Sequence, residues 1–431
     1  MHNRLIKNFD VLATTHNRKI ALEIMEHGLE AINTERAVVN SVTLNGNILT
    51  IQGKEFDLSL FKNIKIIGFG KASARAALAL EKILGDKIKE GIVIGLHKSE
   101  CEYVEVYAGT HPRPSEENIV ASKRIYNLAS SSDEDDLVIV VVSGGGSALL
   151  CYPDSECSQG QVLYDTFLKS GETVVEMNTV RKHLSLLKGG GLAKIAYPAT
   201  VVGLVFSDIP GNNFENVASG PTYKDASTVS DAQKIIDQHN LGKFDLIETP
   251  KEDKYFEKVH NFVLVSNEVA VNAMAQKSRE LGFNPKIIST ELYDEVSESL
   301  DKIFSAKAEN TVVLAAGEPK LEVTKKGGKG GRNLYMGLKS IATKDSLIDD
   351  HSVFISFASD GMDNSDMCGA IVDRLTIEKF KEKNINIEEN LNSFDAYSVF
   401  ENSGDLISTG STHANVSDLM LLLTNSKEHE Q

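Results

Sequence analysis

What the sequence lacks narrows its class first. Among its 431 residues there are only four cysteines, Cys101, Cys151, Cys157 and Cys368, and no two are spaced C-x-x-C. That spacing argues against a zinc ribbon or a redox dithiol and predicts buried thiols in a reducing compartment. Long apolar runs are missing too. The most apolar stretch, "LVIVVV" at 137–142, is far too short to cross a bilayer and reads as a buried strand. The opening "MHNRLIKNFDVLATT" breaks every apolar stretch with polar residues, so no secretory leader is expected and a cytoplasmic location is. Positive charge is scarce, with Lys+Arg 45 against Asp+Glu 61 and a net charge of −16. Nucleic acids and anionic membranes would be repelled by such a balance, so neither is an expected partner. Any cluster of cations is then an island that needs its own explanation.

What is present is the alternation of an α/β protein. Strand patterns occur at 64–70, 91–96, 137–143, 200–207, 261–266, 311–317 and 352–359. Amphipathic helical patterns lie between them, as at 72–84, 268–282 and 294–308. This order predicts βαβ units, largely parallel Rossmann-like sheets and helices on both faces. The length calls for two domains or more, and the polar stretch at 236–255 is either a linker, the favoured reading, with a boundary near residue 240, or a surface excursion within one domain. The expected division is 1–240 and 241–431, the second with a core at about 310–423.

In open α/β sheets ligands bind beyond the carboxyl ends of strands, and the unusual residues of this chain follow its strands. Gly70 and Lys71 occupy a strand-to-helix turn, where a cation and free N–H groups suit an anion. The spacing fits neither a Walker A loop nor G-x-G-x-x-G. "SGGGS" follows the next strand, with Ser143, Gly144, Gly145, Gly146 and Ser147 read either as a phosphate cradle or as a tight turn. Arg181, Lys182 and Lys188 follow on a helical pattern that ends in a second triple glycine, where they complement either a helix end or a ligand. Asp208 stands directly after a strand, placed to hold a metal, accept a hydroxyl proton or simply cap a turn. In the second half, "KKGGKGGRN" carries Lys325, Lys326, Lys329 and Arg332 into a helix near Asn333, and Asp360, Asp363 and Asp366 follow a strand without calcium-loop spacing. Glycine-rich loops, cations and acids in both halves suit phosphoryl transfer.

Nine segments in this order, "GFGKAS", "THPRPSEEN", "SGGGSALL", "RKHLSLLKGGGLA", "SDIPGNNFENVASGPT", "AAGEPKLEV", "GGKGGRN", "SDGMDNSD" and "THANVSDL", resemble the glycerate 2-kinase family, whose C-terminal half is the MOFRL domain. The resemblance runs from about residue 64 to 420. It implies ATP-dependent phosphorylation of D-glycerate to 2-phosphoglycerate, Mg²⁺ or another divalent cation, and an active-site cleft between two α/β domains. Lys71 matches the family's active-site lysine, Arg332 the arginine of its Gly-Gly-Arg-Asn motif, and Asp208 its Ser-Asp motif. On this basis Lys71, Arg332 and Asp208 are the expected catalytic residues, with Asp208 and Asp360 as metal ligands. Gly70, Ser143, Gly144, Gly145, Gly146, Ser147, Lys188, Asn333, Asp360 and Asp363 are the expected substrate and nucleotide contacts. The sequence departs from the family at Asn364, where glycine is common, and at His413 and Ala414, where glycine and threonine are. Two rivals stay open: an NAD(P)H-dependent hydroxypyruvate reductase, for which no dinucleotide fingerprint is present, and a non-catalytic two-lobed anion or sugar binder. Association into homo-oligomers is left open by the sequence.

Overall fold

The computed structural model describes residues 4–170, 174–209, 211, 213–324 and 327–425. The chain divides into two compact units, one formed by residues 34–264 and the other by 4–33 with 265–425. The boundary expected near residue 240 is therefore displaced, because the polar stretch there is a surface excursion of the first unit. Leu241 is buried with Leu163, Leu184 and Ile236, Phe244 and Leu246 pack against them, and the Ile247 N–H donates to the His183 carbonyl at 2.7 Å.

The first unit opens with a three-stranded antiparallel sheet, β1 (Val42–Asn45), β2 (Ile48–Ile51) and β3 (Lys54–Asp57). Its main sheet has β4 (Asn63–Phe69), β5 (Ile88–Gly95), β6 (Val104–Ala108), β7 (Asp136–Ser143), β8 (Thr200–Phe206) and β9 (Val259–Val265), in the order β6-β5-β4-β7-β8-β9. The β4, β5, β6, β7 and β8 pairings are all parallel, as the βαβ pattern predicts. Every residue of β7 is buried, so its unbroken β-branched run is the mark of a central strand covered on both faces. The helix Ser73–Leu84 after β4 is rich in alanine and leucine, and Gly85 ends it at φ +54°.

The second unit departs from the expected parallel sheet. It contains β10 (Asn284–Leu292), β11 (Thr311–Gly317), β12 (Ser352–Ala358), β13 (Gly369–Val372), β14 (Leu406–Ile407) and β15 (Asp418–Thr424), in the order β10-β11-β15-β12-β13-β14. Only β10 and β11 pair in parallel. The crossover through the helix Arg332–Lys344 leaves β11 and β12 pointing the same way, and β15 lies between them antiparallel to both. The physical reason is hydrophobic: Leu419, Leu421, Leu422 and Leu423 have 0% exposure. Each such side chain contributes ~1.5–3 kcal/mol on burial, which a central position secures and an edge would not.

Residues 4–33 belong to this unit through charge as well as apolar packing. Arg18 is 1% exposed, and its guanidinium donates to both oxygens of Asp373 at 2.6 and 2.7 Å and to Asp405 at 2.8 Å. Cys151 and Cys157, expected as thiols, form a disulfide with Cα atoms 5.5 Å apart, whereas Cys368 is a buried thiol. The seven-residue loop "CYPDSEC" folds back at the start of the helix Asp154–Ser170, which brings the two together without a C-x-x-C spacing. Among the described residues no helix is long and apolar enough to cross a membrane.

Candidate active-site residues

In the first unit the expected residues gather at the carboxyl ends of β4, β7 and β8. The turn after β4 is tied to the glycine-rich loop by its backbone: the Lys71 N–H donates to the Gly144 carbonyl at 2.9 Å, and the Ala72 N–H to Ser143 Oγ at 3.1 Å. Ser143 Oγ in turn donates to the Phe69 carbonyl at 3.3 Å. Ser143 therefore fastens two loops together and is not the free phosphate donor that the sequence predicts. Gly70 packs against it, and Gly146 is buried beside Phe69 and Ala218. Ser147 Oγ shares a hydrogen bond of 2.9 Å with Ser219 Oγ, which reaches Asn178 Oδ1 at 3.2 Å.

Two glycines of this loop are fixed by what crosses them. A Cβ on Gly144 would fall 2.0 Å from Asp208 Oδ2, so the Asp208 carboxylate lies directly against the loop backbone. Gly145 has φ +78°, and a Cβ there would meet Lys71 Cγ and Cε at 3.1 Å and His111 Cδ2 at 3.2 Å. Lys71 is exposed and drapes its stem over that glycine. Sequence reasoning singled out Lys71 and Asp208 but missed His111, although it stands in the "THPRPSEEN" segment. Partial enclosure and the charges of Lys71 and Arg181 hold the His111 imidazolium below its ordinary pKa.

Lys188 is a correction. It is 1% exposed, forms an ion pair with Glu156, itself 2% exposed, and donates to the Leu150 carbonyl at 2.8 Å. Its ammonium is occupied inside the fold and presents nothing to a ligand. Burial pulls its pKa down and Glu156 opposes that pull. Lys182 is likewise committed to Asn216 and Asp225, both at 3.2 Å.

In the second unit the expected Arg332, Asp360 and Asp363 line a cavity of about 300 Å³ with Glu318, Asn415 and Asp418, among others, and the expected Asn333 does not. Arg332 opens the helix Arg332–Lys344 and donates through Nε to Asp418, with Nη2 3.8 Å from Glu318. Asn333 donates from Nδ2 to Asp418 at 2.7 Å and to Asp363 at 3.2 Å, and its Oδ1 accepts from Ser356 at 2.6 Å. Asp363 accepts the N–H groups of Gly331, Asn333 and Leu334 at 3.1, 3.2 and 2.7 Å. It is thus the remote cap of this helix, since no local side chain caps it. Asn333 and Asp363, expected to touch ligand, serve first to build the helix start. Asp418, which sequence reasoning did not single out, is 5% exposed, and burial pushes its carboxyl up to about 7 against the pull of Arg332 and Asn333. Asp360 Oδ1 accepts the Met362 N–H at 3.0 Å.

Lys329 is paired with Asp366 at 2.7 Å and lies over the Tyr397 ring at 3.5 Å, while Lys325 and Lys326 lie outside the described residues. Two of the three departures from the family pattern have a backbone reason. Asn364 and His413 both have positive φ, 48° and 59°. Glycine is free in that region, and Asn and His are among the side chains that tolerate it best.

Asp208 and Asp360, expected as metal ligands, belong to different units. Among the described residues no three His, Cys, Asp or Glu side chains converge as a cation cage. Magnesium carried on nucleotide phosphates needs only one or two protein carboxylates.

Residues 20–250 match a domain of unknown function, DUF4147, and residues 311–418 match the MOFRL family. Glycerate 2-kinase of Pyrococcus horikoshii is 33% identical, with 95% of this chain and 98% of that protein aligned. A crystal structure of glycerate kinase from Thermotoga maritima superposes with a TM-score of 0.83 at 31% identity, covering 94% of this chain and 99% of that one. An Agrobacterium vitis protein with the provisional name hydroxypyruvate reductase is 32% identical over 83% of this chain and 86% of its own.

Proposed function

The chain belongs to the glycerate 2-kinase family, and from that premise we propose that it transfers the terminal phosphoryl group of ATP to D-glycerate, at the 2-hydroxyl, giving 2-phosphoglycerate and ADP. The observation that carries this reading is the loop at Gly144 and Gly145. A carboxylate able to accept a hydroxyl proton, Asp208, lies against one glycine, and a cation able to hold an oxyanion, Lys71, crosses the next. A phosphoryl transfer asks the protein for little beyond this: positioning, and donors for the equatorial oxygens.

Lys71 and Arg332 are each required for turnover, as donors to substrate or nucleotide oxygens. Asp208 orients the attacking hydroxyl. Asp360 is the carboxylate this reading assigns to Mg²⁺, which would neutralise phosphate charge when bound with the nucleotide. Because ATP is made and held inside cells, a cytoplasmic location goes with the proposal.

The provisional name of the Agrobacterium vitis relative favours one alternative, reduction of hydroxypyruvate. That reaction calls for a dinucleotide site, and no segment of the sequence has the glycine fingerprint followed by an acid about 20 residues on. The two are separated by measuring ADP release with D-glycerate and ATP beside NAD(P)H oxidation with hydroxypyruvate. NMR of the phosphorylated product fixes the position of transfer. Reduction without ADP release would overturn the kinase reading, and a 3-phosphate product would overturn its regiochemistry.

A further inference from the structure

His111 and Arg181 have no part in the mechanism just given, yet His111 meets its loop directly and Arg181 is linked to it through Asn178. The His111 ring and the Lys71 stem meet the same point above Gly145, at 3.2 and 3.1 Å. Arg181 lies on the helix Val174–Lys182, and its Nη1 approaches Asn178 Oδ1 at 3.5 Å. The same amide oxygen accepts from Ser219, whose hydroxyl contacts Ser147 of the glycine-rich loop. Ser147 of the loop is thus linked through Ser219 and Asn178 to the arginine.

The charge around this point is unbalanced. Among the described residues neither Lys71 nor Arg181 forms an ion pair. Of the groups on the surrounding elements, Lys71 on the turn after β4 and Arg181 on its helix act on the His111 ring by charge. Arg181 feels Glu156 and Tyr164 of the helix Asp154–Ser170, and Glu156 is already held by Lys188. Asp208 lies against Gly144, one residue along. A cation and an imidazole that meet over one glycine, with a second cation acting on the same ring, repel one another until an anion joins them. A neutral imidazole can donate one hydrogen bond and a protonated one two.

We propose that His111 and Arg181 complete, with Lys71, an oxyanion-binding subsite over Gly145 that takes either the substrate carboxylate or a nucleotide phosphate. On arrival of the anion His111 takes up a proton, so that all three groups donate. The kinase reading enters only in naming the anion.

The test is the titration of the His111 ring by NMR, its signals assigned by their loss in His111→Gln or, should that variant fold poorly, His111→Asn. The wild-type protein is titrated alone, with D-glycerate, with a non-hydrolysable ATP analogue and with inorganic phosphate. Binding should raise the His111 pKa by about one pH unit or more. A response to D-glycerate alone identifies a carboxylate subsite, and a response to the nucleotide alone a phosphate subsite. No response to any of the three overturns the proposal. Kinetically, Arg181→Gln should raise KM for the responding ligand by about tenfold or more with kcat changed less, and Arg181→Lys should recover part of the loss. An unchanged KM for both ligands in Arg181→Gln would also overturn it. A protein that does not phosphorylate D-glycerate while His111 still responds to phosphate would keep this subsite and discard the kinase reading.

Discussion

In the ion pair between Arg332 and Asp418 the acid is the buried partner, with 6% of its side chain exposed against 35% for the arginine. Asp418 also accepts from Asn333 at 2.7 Å, so the carboxylate is held from two sides and fixes the inner edge of the guanidinium. Arg332→Ala should lower kcat by ~10²–10³ with the fold intact, the cost of losing one positioned stabilising group. Asp418→Asn should lower turnover by about tenfold or more, since it removes a hydrogen bond between charged groups. Steady-state rates beside circular dichroism check both, and near-normal rates would remove the pair from the mechanism.

The same acid predicts a pH effect. Its folded pKa of about 7 lies above the ordinary value of ~4, so the folded state binds the proton more tightly. This group's contribution to stability is present below ~4 and is lost as pH rises towards 7. The ion pair with Arg332 is complete only above that range. Turnover should therefore rise through pH ~7, and this limb should disappear in Asp418→Asn. A profile identical in the two proteins would contradict the assignment.

Lys71→Ala should depress kcat by ~10²–10³ without lowering the denaturation midpoint, because the side chain is exposed and forms no ion pair among the described residues. Urea unfolding and turnover measured on one preparation test both halves of that statement.

Gly144→Ala should cost activity more than stability. Its Cβ would fall 2.0 Å from Asp208 Oδ2, so the carboxylate must leave the loop. Turnover should fall by about tenfold or more while the melting temperature moves little. Preserved activity would show that Asp208 does not act from this position.

Arg18→Ala strands Asp373 and Asp405, and breaking a buried pair of this kind costs ~3–5 kcal/mol. Burial raises the Asp373 carboxyl, but the hydrogen bonds and charge of Arg18 outweigh it and leave the pKa lowered. Asp136, paired with Lys65 at 2.8 Å, behaves in the same way. Lowered carboxylates stabilise the fold above their ordinary pKa of ~4, and that contribution is lost as pH falls through the folded value. Wild-type stability should fall on acidification from pH 5 to 3, and Arg18→Ala should show less of that fall. Urea titrations at several pH values measure the difference.

The parts legible in the sequence are those written in local pattern. Unbroken apolar runs gave β4, β7, β8, β11 and β12, and an alanine-rich period gave the helix after β4. Lys71 and Asp208 were found because they follow such strands. What stayed hidden depends on distant partners. Nothing near Lys188 announces that Glu156 neutralises it, nor does anything near Asp363 say that it caps a helix 30 residues earlier. Nothing within residues 4–33 says which unit they join, and only Asp373 and Asp405 reveal where Arg18 belongs. Helical pattern alone likewise did not say that Arg181 shares its surroundings with His111 and Lys71.

The position of β15 bears on the order in which the protein can be made. This strand is the last of its sheet to leave the ribosome, yet it occupies the middle, between β11 and β12. Until it emerges, the two strands that flank it have no common neighbour and Arg332 has no Asp418. The first unit has no such debt, since all its strands precede residue 266. Synthesis should therefore yield a finished first unit and a waiting second one, which gains its central strand and the anchor of its arginine in the same step.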